Sequence, residues 1–219
     1  MSKLRSESDL SDSLDGNLTS RIRELSDLKQ AIRDASNLNR AVLLKAIVAL
    51  AYAHWEGFVK FSAQKYFEYI TIRRLQFSSM HPQIYANSFL IRLNGLSNSK
   101  SSLEEKLQLI SDILTSHDKR FSFINPDLIN TGSNLKSDTL REICLICGID
   151  YEKKFSDKKT FIDLILLKRR NSIAHGDEAL VSIDEIDYLV ETVTGLMRTF
   201  KNELENKIYL KEYLVRKSA

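Results

Sequence analysis

Within the segment Arg170-Asn171-Ser172-Ile173-Ala174-His175-Gly176 the chain gathers an arginine, an amide and a histidine. Arginine stays charged at every working pH and grips phosphate through a planar fork of donors. Histidine takes up or releases a proton near neutrality. These are the parts needed to cleave RNA without a metal. A base removes the proton of a 2′-hydroxyl, an acid protonates the leaving 5′-oxygen, and a cation offsets charge growing on the phosphate. One copy of His175 cannot make both transfers at once. A second histidine, from a second subunit, would complete the set.

Spacing constrains how these residues meet. Asn171 and His175 lie four apart and share a helix face. Arg170 and His175 are five apart, roughly 140° round an ideal helix. They converge on one phosphate only where the helix ends or distorts, and Gly176 offers such an end. The same residues also fit an ordinary helix C-terminus, where Arg and His meet the negative end of the dipole.

The elements that carry the segment read as helices throughout. With only two prolines and seven glycines in 219 residues, helix breakers are scarce and long helices are favoured. Residues 1–15, rich in Ser and Asp, are expected to be a flexible tail, and 16–219 a single all-helical domain. From Thr19 the residues Ile22, Leu25, Leu28, Ile32 and Ala35 recur at helical spacing. A longer helix is predicted from about Asn39 to Gln76, with an apolar stripe wide enough for a core or a subunit interface. After His81-Pro82 a short helix is expected over Gln83 to Leu93, stopping at Asn94-Gly95. Ser102-x-x-Glu105 is a capping box, and Leu103, Leu107, Ile110 and Leu114 mark the helix behind it. Asp138 to Cys147 reads as a helix ended by Gly148. Ser156 is placed to cap the helix that leads into the Arg170 segment. A second capping box, Ser182-x-x-Glu185, opens the last long helix, which runs on towards Tyr213. No convincing strand alternation and no internal repeat is present, so the fold class is all-α.

Composition narrows the class of function. A content of 43% hydrophobic and 28% charged residues suits a soluble globular chain. The net charge of +3 permits contact with nucleic acid without demanding it. The longest apolar run, Ala46 to Ala53, falls well short of the roughly 20 residues of a membrane span. The N-terminus is unlike a signal peptide, so a cytoplasmic protein is expected. Cys144 and Cys147 form a lone C-x-x-C without the further ligands of a structural zinc site. Buried reduced thiols are the first reading, with redox activity or metal binding as alternatives. No phosphate-binding glycine loop and no carboxylate cluster for Mg²⁺ is evident, so neither a cofactor nor a metal is expected.

Two stretches resemble a known superfamily. Residues Leu166 to Asp177 resemble the HEPN signature, Arg-x4-6-His with a polar residue, commonly Asn, after the arginine. Upstream, Leu50-Ala51-Tyr52-Ala53-His54-Trp55-Glu56-Gly57-Phe58-Val59-Lys60 is similar to a helix of the bacterial MAE-type HEPN proteins. The resemblance implies an HEPN-like helical bundle with additional helices. It also implies a homodimer that brings two such motifs into one composite active site. It implies a metal-independent endoribonuclease, a toxin or effector in bacterial defence or a toxin-antitoxin system, with an antitoxin or defence-system partner. Arg170 would stabilise the scissile phosphate, Asn171 would orient the phosphate or the histidine, and His175 would act as acid or base. The alternative within the superfamily is a non-catalytic module that binds nucleotide or RNA, or docks a partner protein.

Other residues carry two readings. Glu56 either faces the cleft or pairs with an arginine. Lys168 and Arg169 either follow an RNA backbone or form solvated surface, as do Arg73-Arg74, Lys153-Lys154 and Lys158-Lys159. His54 is expected as a partly buried helix histidine. Tyr52, Trp55 and Phe58 are expected in packing rather than base stacking, and His81 and His117 are expected to have no catalytic role.

Overall fold

The computed structural model describes residues 4–98, 101–132, 134–177 and 181–215. Ser6 opens the first helix: its hydroxyl accepts from the Asp9 N–H (3.0 Å) and the Asp9 carboxylate accepts from the Ser6 N–H (2.8 Å). This capping box starts α1, Glu7–Asp34. Most of the stretch 1–15, expected as a flexible tail, is therefore helical. Leu10, Leu14 and Leu18, four apart, form a buried stripe that the Ser and Asp richness conceals. Met1 to Lys3 lie outside the described residues.

The bundle is centred on α2, Asn37–Ile72, which packs against both α1 and α9, Asp184–Tyr209. Tyr52, Trp55, Phe58, Val59, Tyr66 and Phe67 of α2 are buried. By length and composition alone, residues 39–72 of α2, whose most apolar 18-residue window has a mean hydropathy of 1.4, are long and apolar enough to cross a membrane, a property that a buried core helix shares. Within α2, His54 and Glu56 reach partners on neighbouring helices.

Between α2 and the Arg170 segment lie α3 (Pro82–Tyr85), α4 (Asn87–Asn98), α5 (Leu103–Leu114), α6 (Ser137–Cys147) and α7 (Tyr151–Phe155). The stop expected at Asn94-Gly95 is not one, since α4 continues through it. A glycine ends a helix when it turns left-handed, and Gly95 keeps a negative φ, whereas Gly148 (φ 74°) and Gly176 (φ 82°) turn. The Ser102–Glu105 capping box forms. The stripe behind it faces outward: Leu103, Leu107, Ile110 and Leu114 are exposed and Leu109 is buried. Asp150 caps α7, accepting from the Lys153 N–H at 3.1 Å, whereas Ser156, expected to cap the helix leading into the Arg170 segment, donates its hydroxyl back to the Glu152 carbonyl instead. Cys144 and Cys147 are buried free thiols. Among the described residues no strand forms, only isolated bridges at Gln76–Arg120 and Met80–Leu214. The fold is an all-α, HEPN-like bundle.

Candidate active site

The motif helix starts from an unusual support. Residues Phe161–Lys168 form a π-helical segment, a geometry that is rare and concentrated at functional sites. Asp163 within it accepts from both the backbone N–H (2.7 Å) and the hydroxyl (2.5 Å) of Ser137, the first residue of α6. The chain then tightens into α8, Arg169–His175. Gly176 ends α8 in the left-handed conformation, and the Asp177 N–H closes the end on the Ser172 carbonyl at 2.9 Å. The ending expected at Gly176 is thus present, and His175 is the last, exposed residue of the helix.

Arg170 points from α8 back onto α2, its side chain one quarter exposed. Its guanidinium lies over the Tyr52 ring, 4.2 Å from the centroid. Its Nη1 donates to Asn171 Oδ1 at 2.8 Å, and Nη2 stands 3.9 Å from Glu56 Oε2. Tyr52 and Glu56 are one turn apart on α2, so they present a ring and a carboxylate on one stripe. The Tyr52 hydroxyl accepts from the Leu135 N–H at 2.6 Å. Burial pushes the Tyr52 phenol up to about 12, so Tyr52 stays neutral and contributes shape and π density rather than a proton.

The remaining sequence candidates divide. Glu56 meets Arg170, the pairing alternative. Asn171 accepts from Arg170, a contact its sequence reading did not include. Arg169 turns away from Arg170 and forms a bidentate pair with Glu185 of α9 (3.0 and 3.3 Å). That hydrogen bond, followed by one from the Ser182 N–H, holds the Glu185 carboxyl below its ordinary range. The Ser182–Glu185 pair is therefore half a capping box, its carboxylate shared with Arg169. Lys168 is exposed. Of the basic clusters, Lys154 pairs with Glu203 (2.6 Å), Lys158 with Asp157 (2.8 Å), and Arg73 lies over the Tyr69 ring (3.4 Å). His81 caps α3, accepting from the Gln83 N–H. Sequence reasoning placed Tyr52 in the packing and missed its role beneath Arg170.

The upstream motif sorts residue by residue. Trp55 and Phe58 are fully buried, with Trp55 against Phe155. His54, almost buried, faces α1: Arg21 Nη1 donates to His54 Nδ1 (3.2 Å) and to the His54 carbonyl (3.3 Å). His54 Nε2 stands 3.2 Å from the Glu24 carboxylate. Because an arginine only donates, Nδ1 must accept, which places the ring proton on Nε2 facing Glu24. Gly57 clears the path: a Cβ there would sit 3.0 and 3.1 Å from the Arg21 Nη atoms.

Residues 17–206 match the family described as RiboL-PSP-HEPN. The chain belongs to the RiboL-PSP-HEPN family. The match supports the HEPN assignment made from the two motifs and does not extend to the MAE-type subdivision. No curated protein and no solved structure is similar enough to match. The Arg-Asn-x3-His residues of this chain occupy one short helix, and family membership directs attention to RNA-related function.

Proposed function

We propose that this RiboL-PSP-HEPN chain is a metal-independent endoribonuclease that works as a homodimer with a composite active site. The observation that carries this reading is Arg170, held on α2 by Tyr52 and Glu56, on the same short helix as the exposed His175. The pathway needs little else. The arginine fork receives the scissile phosphate and offsets the charge that grows on its oxygens. One imidazole removes the 2′-hydroxyl proton, and the oxygen attacks phosphorus. The 5′-oxygen leaves with a proton from an imidazolium, which the partner subunit's copy of the motif supplies. The products are a 2′,3′-cyclic phosphate and a 5′-hydroxyl. The cellular setting that suits such an enzyme is a toxin or effector of bacterial defence, kept in check by an antitoxin or another defence protein.

The test is cleavage of RNA in EDTA by wild type, His175→Ala and Arg170→Ala. Loss in both variants with cyclic-phosphate ends in wild type supports the mechanism. Equal cleavage by all three, or an absolute Mg²⁺ requirement, refutes it. Titrating wild type with His175→Ala tests the composite site, since hybrid dimers keep one His175 and should be inactive, so activity should fall more steeply than simple dilution. A second reading is a non-catalytic docking module, favoured by the outward stripe Leu103, Leu107, Ile110 and Leu114 on α5. Under it, Leu107→Glu abolishes biological activity and His175→Ala leaves it intact.

A further inference from the structure

The stacking of Arg170 on Tyr52 has an anchor outside both helices. Leu135, fully buried, donates its N–H to the Tyr52 hydroxyl. Two residues later, Ser137 delivers its N–H and its hydroxyl to Asp163. The segment 135–137 is therefore a strut. One end holds the outer edge of the Tyr52 ring on α2. The other holds the π-helical segment that feeds α8. The two helices it ties are the two that bring Tyr52 and Arg170 face to face.

We infer that Tyr52 is a positioning residue: its ring, fixed by the 135–137 strut, sets the plane of the Arg170 guanidinium. An arginine is a useful electrostatic partner for a transition state only when its fork already faces the place where charge develops. A free arginine side chain samples many rotamers, and ordering it during reaction would raise the barrier. The contacts divide this work. The ring fixes the plane from below. Asn171 Oδ1 takes one N–H at the edge, which sets rotation within the plane. Glu56 Oε2 stands at ion-pair distance, 3.9 Å, from the other Nη and draws the fork towards α2. The Tyr52 phenol stays protonated at working pH, and its ring acts through Arg170.

The kinetic part of this inference rests on the ribonuclease reading, while its geometric part does not. Side-chain NMR of ¹⁵N-labelled arginine tests the geometry in wild type first. Arg170 should show a ring-shifted, slowly rotating guanidinium with cross-peaks to the Tyr52 ring. Tyr52→Phe keeps the ring shift and loses the strut bond, so the Arg170 signal stays displaced but broadens. Tyr52→Leu abolishes the shift. In RNA cleavage, per folded molecule, Tyr52→Leu should lower kcat about 10-fold or more while KM moves less than about threefold, since misplacement acts on the reacting geometry. Tyr52→Phe should fall between it and wild type. A purely structural role would lower stability with kcat and the Arg170 signals unchanged, and that result overturns the inference. So does a wild-type Arg170 signal without ring shift, whether or not the leucine variant folds. If no RNA is cleaved but the NMR pattern holds, the positioning stands and the ribonuclease reading fails.

Discussion

Replacing Gly57 by alanine should destabilise the protein, although alanine is the better helix former. Gly57 lies inside α2, where glycine costs about 1 kcal/mol relative to alanine. On propensity alone, the substitution is a gain. Against that, the new Cβ would lie 3.0 Å from Arg21 Nη1 and 3.1 Å from Nη2, closer than such contacts normally allow. The guanidinium must retreat by a few tenths of an ångström. Its bonds to His54 Nδ1 and the His54 carbonyl are already 3.2 and 3.3 Å, so this retreat breaks them. Each hydrogen bond to a charged group contributes about 1.5–3 kcal/mol, and His54 Nδ1, almost buried, is left unsatisfied. Water restores part of this to the half-buried guanidinium, so a loss of about 2–3 kcal/mol against a gain of about 1 leaves a net cost of about 1–2 kcal/mol, or a fall in Tm of roughly 2–8 °C for a domain of this size. The assay is thermal and urea unfolding of four proteins: wild type, Gly57→Ala, Arg21→Ala and the double variant. Once Arg21 is cut back, the obstacle is gone. Gly57→Ala should then stabilise by about 1 kcal/mol. The reasoning requires that reversal of sign. A Gly57→Ala change that stabilises in both backgrounds refutes it, because the glycine would then have no relation to Arg21.

Three further outcomes follow from the same contacts. Burial, then the charge of Arg21, holds the His54 imidazolium below its ordinary range. The unfolded chain therefore binds this proton first, so stability is full above about pH 6.5 and falls as pH drops from there towards the folded value. Unfolding free energies measured across pH 5 to 8 should show that slope in wild type and lose it in His54→Asn. Burial raises both Cys144 and Cys147 thiols well above their ordinary range, so a thiol reagent at pH 8 should leave the native protein unlabelled and modify both after unfolding; rapid labelling of the native state would place a thiol at the surface. Leu14→Ala should cost about 2–4 kcal/mol in urea unfolding, because Leu14 is fully buried; a cost below about 0.5 kcal/mol would restore the flexible-tail reading of 1–15.

What the sequence made legible was what local chemistry decides. Ser102 and Glu105 announce a capping box by type and spacing alone, and Gly148 and Gly176 stop helices whose apolar periodicity also ends there. The Arg170, Asn171 and His175 set was legible for the same reason, being contained in one short segment. Where tertiary partners decide, the reading failed. Gly95 looks like a stop, yet its helix simply continues. The leucines at 10 and 14 looked isolated in a polar tail until α2 and α9 supplied a surface for them. The π-helical turn before α8 leaves no periodic mark, since its Asp163–Ser137 bonds join distant parts of the chain. Tyr52 and Arg170 stand far apart in sequence, and nothing in either local pattern predicts a stack. Arg21 gave no signal at all, although Gly57 inside a strong helix was the negative image of it.

The Tyr52 to Phe58 stretch works because α2 is buried on more than one side. A helix with a single apolar stripe could hold one neighbour in register. Here Trp55 and Phe58 fill the core, while the polar residues between them face two different helices. His54 and Gly57 accept Arg21 from α1, and Tyr52 and Glu56 accept Arg170 from α8. Apolar packing tolerates small slides between helices, since many arrangements bury similar area. A guanidinium seated on named atoms does not, because a slide of one residue strands a buried charge or a buried ring nitrogen. The two arginines thus give α1 and α8 one address each on α2. The consequences differ with role. Arg21, half-buried, has no part in the proposed reaction, so its loss is read in stability. Arg170, one quarter exposed, is held still by the same kind of contact, and under the proposed mechanism that stillness is read in the rate.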